Sequence, residues 1–200
     1  MSRPLSAYVA LGDSLTHGTD PERESRWPDR VAQALGLRYA NLARIGATSR
    51  AVEEEQLESA LAFGPDLVSL ICGANDVLDS VRPDPDAFAA RLALMFGRIH
   101  AEAPDALVFT ATYPDLSRFL ELRERTRRRV RRGIEDFNEV CRGVAAEHGV
   151  LLLEWAEHPE TGDPTYRAPD GFHPSPEGHR RAADEVIQAL KAARSAEEAA

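Results

Sequence analysis

The chain has 200 residues, a formal net charge of −9 at pH 7, and 43% hydrophobic against 28% charged residues. This is the composition of an ordinary folded domain, and the acidic balance disfavours a general nucleic-acid binder, which would carry a basic excess. No apolar run approaches the roughly 20 residues that a membrane-spanning helix needs, and the N-terminus lacks the pattern of a signal peptide. We therefore expect one domain over residues 1–200, located in the cytoplasm.

The first predicted element is a buried strand that is followed directly by a serine. Apolar residues run from Tyr8 to Leu11 and stop at Gly12 and Asp13, residue types that break strands. Ser14 then lies just beyond the carboxyl end of the strand, at the edge where open α/β sheets bind ligands. This position makes Ser14 a candidate nucleophile, and a serine that only caps the next turn is the alternative.

Four further strands alternate with helices along the rest of the chain. The predicted strands span residues 37–42, 66–72, 107–112 and 150–153. The predicted helices span residues 27–35, 52–63, 86–103, a long segment that ends at 148, and one from 176 to about 193, beyond which the tail is expected to fray. Strands and helices in this alternation predict a five-stranded parallel sheet with helices on both faces.

The loops after the first, second, third and fifth strands hold the residues that are capable of chemistry. These residues are Ser14, Gly46, Asn75, and the pair Asp170 and His173. Because the carboxyl ends of parallel strands lie at one edge of a sheet, residues that are distant in sequence become neighbours there. We therefore expect a single site at this edge.

His173 and Asp170 are the candidates for activating Ser14. A serine hydroxyl is a weak nucleophile and needs a base within hydrogen-bond reach, itself oriented by a third group. His173 can be the base, and Asp170 on the same loop can hold the tautomer that directs the other ring nitrogen at Ser14. The alternative for His173 is a surface histidine that precedes a helix.

Acyl transfer also needs hydrogen-bond donors directed at the developing oxyanion. The backbone amides of Ser14 and Gly46 and the side-chain amide of Asn75 can supply them. A glycine suits this position because its backbone can approach a substrate closely. The alternatives are an ordinary turn glycine and an asparagine that bonds its own turn.

With these residues in view, the sequence resembles the SGNH (GDSL-type) hydrolase family. Four segments carry the resemblance in the family's order: Gly12-Asp13-Ser14-Leu15, Asn41-Leu42-Ala43-Arg44-Ile45-Gly46, Gly73-Ala74-Asn75-Asp76 and Asp170-Gly171-Phe172-His173. The resemblance extends from Tyr8 to about His179. One departure is Ala43-Arg44, where many relatives carry a glycine.

The resemblance implies a flavodoxin-like three-layer α/β/α sandwich with serine esterase or lipase activity and with no metal or organic cofactor. It implies a catalytic triad of Ser14, His173 and Asp170. It also implies an oxyanion hole formed by Ser14, Gly46 and Asn75. Our leading hypothesis is an esterase that cleaves small or short-chain acyl esters through a covalent acyl-enzyme.

Four residues next to these positions are expected to support the site or to contact substrate. Asp13 and Asp76 flank two of the catalytic positions, and solvated loop acids are the alternative for both. Tyr113 follows the fourth strand, and Phe172 precedes His173.

Two other function classes stay open at this point. The same triad can pass the acyl group to an alcohol or an amine, which would make the protein an acyltransferase. A non-catalytic flavodoxin-like module that binds phosphate is the second alternative, although the chain lacks the usual glycine-rich phosphate patterns.

Two residue groups receive simpler interpretations. Seven arginines between Arg123 and Arg132 are expected on the solvated face of a helix, with contact to an anionic substrate or partner as the alternative. Cys72 and Cys141 are expected to be buried thiols, because their spacing does not indicate a metal site.

Overall fold

Five parallel strands form the sheet that the sequence predicts. The computed structural model describes residues 4–19, 26–158 and 163–199. Numbered along the chain, the strands are β1 (Ala7–Gly12), β2 (Arg38–Asn41), β3 (Leu67–Ile71), β4 (Leu107–Ala111) and β5 (Leu151–Leu153). They lie in the order β2-β1-β3-β4-β5, and every neighbouring pair is parallel. The predicted fold class is therefore confirmed.

Eight α-helices occur in the described ranges and cover both faces of the sheet. They are α1 (Ser14–His17), α2 (Trp27–Leu35), α3 (Ser49–Glu55), α4 (Leu57–Ala62), α5 (Ala74–Leu78), α6 (Pro85–Glu102), α7 (Glu124–His148) and α8 (Pro176–Ala199). Helix α2 packs against α8, and α6 packs against α7 and α3. Within the same ranges, no helix combines the length and apolarity needed to cross a membrane.

Strands β1 and β3 lie at the centre of the fold, and all of their residues are buried. Gly12 at the end of β1 has a φ of +150°, and a Cβ built there would lie 2.2 Å from the carbonyl oxygen of Ile71 in β3. Only glycine fits this close approach. The order of the strands reverses between β1 and β3, which opens a crevice at their carboxyl ends.

The predicted helix over residues 52–63 is two helices in the structure. Helix α3 ends at Glu55, and α4 begins at Leu57. Gln56 between them is buried, and its side-chain amide binds the backbone of Gly12. Periodicity did not indicate the break because both helices bury apolar residues.

Two further elements differ from the sequence prediction. Residues 73–76 were expected to form a loop, but α5 begins at Ala74 within that segment. Helix α8 continues past the expected end at Ala193 to Ala199.

The arginines between Arg123 and Arg132 lie mainly on the exposed side of α7, as expected. Arg129 is the exception, because its guanidinium donates to the carbonyl oxygen of Val77 at 2.7 Å and also to that of Ser80. It thereby satisfies carbonyl groups at the end of α5. Cys72 and Cys141 are buried and are not disulfide-bonded, as expected.

Two leucines on α6 test how much the buried face of this helix contributes to stability. Leu92 is 1% exposed and Leu94 is 47% exposed. We expect Leu92→Ala to lower the free energy of unfolding by about 2–5 kcal/mol, because it leaves a cavity in the core. Leu94→Ala should change it by no more than about 0.5 kcal/mol. Urea denaturation of both variants measures the difference, and equal losses would contradict the packing described here.

Candidate active site

The turn after β1 places Ser14 at the first position of α1. Asp13 is the N-cap of this helix, and its Oδ1 accepts a hydrogen bond from the amide of Leu15 at 3.0 Å. The alternative that Ser14 itself caps the turn is therefore wrong. Ser14 is only 6% exposed, and its Oγ lies 2.9 Å from Nε2 of His173.

His173 lies between Ser14 and Asp170. Its Nδ1 is 2.6 Å from Oδ2 of Asp170, while Oδ1 of the same carboxylate accepts the amides of Phe172 and His173 at 2.9 and 3.0 Å. Asp170 thus fixes both the ring and the backbone of the histidine. The structure brings together the three residues that the sequence predicted would meet.

The ionisation of Asp170 determines which ring nitrogen of His173 carries a proton. Partial burial acts to raise the pKa of Asp170, but hydrogen bonds from the His173 ring and from two backbone amides outweigh it and lower the pKa. The carboxylate is therefore ionised at neutral pH and can only accept hydrogen bonds. In neutral His173, Nδ1 must then donate to Asp170, which leaves Nε2 to accept the Ser14 hydroxyl.

The segments that follow β2 and β3 are joined to each other beside the turn that carries Ser14. Nδ2 of Asn75 donates to the carbonyl oxygen of Ala47 at 3.0 Å. The Asp76 carboxylate accepts the amide and the hydroxyl of Ser49 at 2.7 and 2.5 Å. The β2 loop is also attached to the end of β1, because Arg44 N donates to the carbonyl oxygen of Gly12 at 3.1 Å.

Gly46 lies in this β2 loop with a φ of +78°, and a Cβ built there would meet nothing within 4 Å. Glycine is favoured by this left-handed backbone, and the close approach of a substrate to Gly46 stays a prediction. Among the described residues, no backbone acceptor is recorded for the amides of Ser14 and Gly46.

Asp13, the residue before Ser14, is fully buried. Burial raises its pKa to about 7, although the hydrogen bonds from Leu15 N and from the Tyr113 hydroxyl, at 3.4 Å, act in the opposite direction. The alternative of a solvated loop acid is wrong for Asp13. It is also wrong for Asp76, whose side chain is engaged by Ser49.

Two amide side chains that the sequence analysis did not single out hold the backbone around the site. Gln56 accepts from the amide and donates to the carbonyl of Gly12, both at 2.9 Å. Asn138 of α7 makes the same pair of bonds with Tyr113, at 2.8 and 2.7 Å. The available signal for Asn138 was a polar residue on the apolar face of a predicted helix, next to Phe137.

Phe172 contacts the edge of the site. Its ring meets the His173 ring edge-on, with 4.7 Å between centroids, and it lines an apolar cavity. In the described ranges, no three His, Cys, Asp or Glu side chains are grouped so that they could hold a metal ion.

Residues 10–181 match the GDSL-like Lipase/Acylhydrolase family, and the chain belongs to this family. It is therefore a hydrolase of the esterase and lipase type, which argues against a non-catalytic binding module. No curated protein matches the sequence significantly.

Three solved structures illustrate the shared fold. The psychrotrophic esterase EstA from Pseudoalteromonas sp. is 15% identical with a TM-score of 0.76, over 95% of this chain and 99% of that one. TesA is 24% identical with a TM-score of 0.75, over 93% and 98%. Phospholipase A1 from Streptomyces albidoflavus NA297 is 22% identical with a TM-score of 0.69, over 92% and 99%.

The buried Asp13 predicts a specific pH dependence of stability. Its raised pKa means that the folded protein retains a proton that the unfolded chain has lost, so folding is penalised as the pH rises from about 4 to 7. Asp13→Asn keeps an oxygen for Leu15 N but cannot ionise. As the pH rises from about 4 to 7, we expect the free energy of unfolding of the variant to increase relative to that of the wild type, by about 4 kcal/mol at most.

Urea denaturation of both proteins at several pH values measures this difference. A difference in unfolding free energy that stays constant between acid and neutral pH would contradict the raised pKa of Asp13.

Proposed function

We propose that this hydrolase is a serine esterase that cleaves small or short-chain acyl esters through a covalent acyl-enzyme. The observation that carries the proposal is the continuous series of contacts from Ser14 Oγ to His173 Nε2 at 2.9 Å and from His173 Nδ1 to Asp170 Oδ2 at 2.6 Å. A nucleophile, a base and a group that orients the base are the parts that acyl transfer requires.

Acylation begins when Ser14 Oγ attacks the ester carbonyl carbon. The hydroxyl proton moves to Nε2 of His173 as the bond between Oγ and carbon forms, and Asp170 stabilises the resulting imidazolium. His173 then donates this proton to the alcohol oxygen. The bond between carbon and the alcohol oxygen breaks, the alcohol leaves, and the acyl group remains on Ser14.

Deacylation repeats these steps with water. His173 Nε2 accepts a proton from water while the water oxygen attacks the acyl carbon. The bond to Ser14 Oγ breaks, and the proton returns from His173 to Oγ as the acid departs.

The oxyanion that forms in both steps is assigned to the amides of Ser14 and Gly46 and to the side chain of Asn75. One hydrogen of Asn75 Nδ2 bonds Ala47 O, which leaves the second for the oxyanion. The Ala47 bond holds the amide in place before substrate arrives, and such preorganised donors are worth about 2.7–4 kcal/mol each in comparable sites.

Transfer of the acyl group to an alcohol or an amine uses the same residues. Product analysis with a competing acceptor distinguishes transfer from hydrolysis. The cytoplasmic location stays a prediction.

Replacement of the nucleophile is the first test. We expect Ser14→Ala to abolish hydrolysis of a panel of acyl esters, because it removes the hydroxyl that the proposed acyl-enzyme requires. A fluorophosphonate should label Ser14 in the wild type. Ser195→Ala on the exposed end of α8 is the control and should behave as the wild type. Retained activity in Ser14→Ala, or a label on another serine, would show that the nucleophile lies elsewhere.

The role of Asn75 is tested against its contact with the β2 loop. Asn75→Ala removes both the oxyanion donor and the bond to Ala47, whereas Ser49→Ala removes only a bond between the same loops. We expect Asn75→Ala to lower kcat by about a hundred- to a thousandfold with little change in KM, because the donor acts mainly in the transition state.

Ser49→Ala should cause a much smaller loss of kcat. Steady-state kinetics with melting curves make the comparison. Equal losses of kcat in the two variants would mean that Asn75 only holds the segment after β2 in place.

A further inference from the structure

A mainly apolar cavity is lined by the chain neighbours of Ser14 and His173. Leu15 follows the nucleophile, Phe172 and Pro174 flank His173, and all three line the cavity. The remaining apolar walls include Trp27, Leu116, Phe119 and Trp155. The segments that carry Ser14 and His173 therefore also provide an apolar environment next to the site.

The volume of the cavity limits what it can hold. It measures about 170 Å³. A protein cavity of about 150 Å³ with apolar walls holds one benzene molecule. The cavity beside Ser14 therefore fits one ring or an aliphatic chain of similar size, about six carbons long.

The walls are held by contacts of their own, so the cavity exists before substrate binds. Trp27 Nε1 donates to the carbonyl oxygen of Leu15 at 3.0 Å. Trp27 also packs edge-to-face on Trp155, with 5.9 Å between ring centroids. A preformed cavity discriminates by size because its walls cannot adapt without losing these contacts.

An ionic cluster borders the cavity along α8. Arg181 Nη2 lies 2.7 Å from Nε2 of His158, and Glu185 contacts Nε2 of His158 at 3.1 Å and Nε of Arg181 at 3.2 Å. A hydrocarbon chain that reached this cluster would remove water from the charged groups without replacing its hydrogen bonds, which is costly. The cluster therefore sets an upper limit on chain length.

We propose that this cavity is the acyl subsite and selects acyl groups about the size of a six-carbon chain or one aromatic ring. The inference rests on the proposed esterase function. The acyl group stays bound through both half-reactions, whereas the alcohol must leave so that water can reach the acyl carbon. A mainly apolar cavity suits the half of the substrate that stays.

Two ester series assign the cavity to one half of the substrate. In p-nitrophenyl esters from acetate to decanoate, we expect kcat/KM to rise about fourfold for each methylene up to hexanoate and then to fall. Phenylacetate should be cleaved about as well as hexanoate. Acetate esters of alcohols of increasing length should show no such maximum. A maximum only in the alcohol series would overturn the acyl assignment.

A substitution that fills part of the cavity can be compared with the same substitution on the exposed side of the helix. Ala182 lines the cavity, whereas Ala192 lies on the exposed side of the same helix. We expect Ala182→Leu to lower the ratio of kcat/KM for hexanoate over acetate by at least about tenfold, since it excludes two or more methylenes. Ala192→Leu should keep the wild-type ratio. An unchanged ratio in Ala182→Leu would overturn the proposal.

Binding can be measured without turnover because both tryptophans of the chain, Trp27 and Trp155, line this cavity. In the Ser14→Ala variant, methyl hexanoate, an ester without a chromophore, should change the tryptophan fluorescence saturably. Methyl acetate should change it much more weakly. The change should be lost when Ala182→Leu is added. Equal responses to both esters would overturn the inference. A folded wild type that cleaves no ester would instead refute the esterase function and the inference with it.

Discussion

One hydrogen bond, 2.9 Å between His173 Nε2 and Ser14 Oγ, joins positions 159 residues apart and depends on most of the fold. Ser14 follows β1, but His173 follows β5 at the far edge of the sheet, with β3 and β4 between them. The chain after β5 must therefore cross two strand ends.

Two contacts fix the path of the segment that brings His173 back to Ser14. A β-bridge joins Arg167 and Pro174, and Ser175 Oγ accepts a hydrogen bond from Gly178 N at 3.1 Å at the start of α8. Helix α8 then packs on α2, whose Trp27 binds the nucleophile turn.

The ionisation states of the two aspartates near Ser14, Asp13 and Asp170, are set by their surroundings. In the proposed mechanism, a fully ionised Asp13 would oppose the oxyanion that develops beside Ser14, because like charges in a dry environment repel strongly. Burial holds the pKa of Asp13 at about 7, so a large fraction of this carboxyl group is neutral near neutral pH. The pKa of Asp170 is shifted in the opposite direction, because its lowered pKa keeps this carboxylate negatively charged beside His173. Two aspartates near one serine thus differ in charge because one is buried and the other is hydrogen-bonded at the surface.

The sequence predicted the parts of the site that local chemistry determines. A short apolar run that stops at Gly12 indicates a buried strand, and the ends of parallel strands converge wherever such a sheet forms, so Ser14 and His173 could be expected to meet. Gln56 could not be predicted in the same way, because its partner is the backbone of Gly12 in another element. The start of α5 was missed because Gly73 and Asn75 have turn propensity, whereas contacts with α7 stabilise the helix.

The cavity was beyond reach from the sequence because its walls come from segments that meet only in the folded chain. Trp27 begins α2, Phe119 follows β4, and Ala182 lies on α8. Trp27 performs two tasks, since it forms a wall of the cavity and its Nε1 holds the carbonyl of Leu15 beside the nucleophile. A change at Trp27 that widened the cavity would also release the turn that carries Ser14. With the cavity as the proposed acyl subsite, substrate size and the position of Ser14 are therefore coupled at Trp27, whereas Ala182 lines the cavity from α8. On this proposal, we expect selectivity to change most readily at Ala182, because a change there alters the cavity wall and leaves the bond between Trp27 and Leu15 in place.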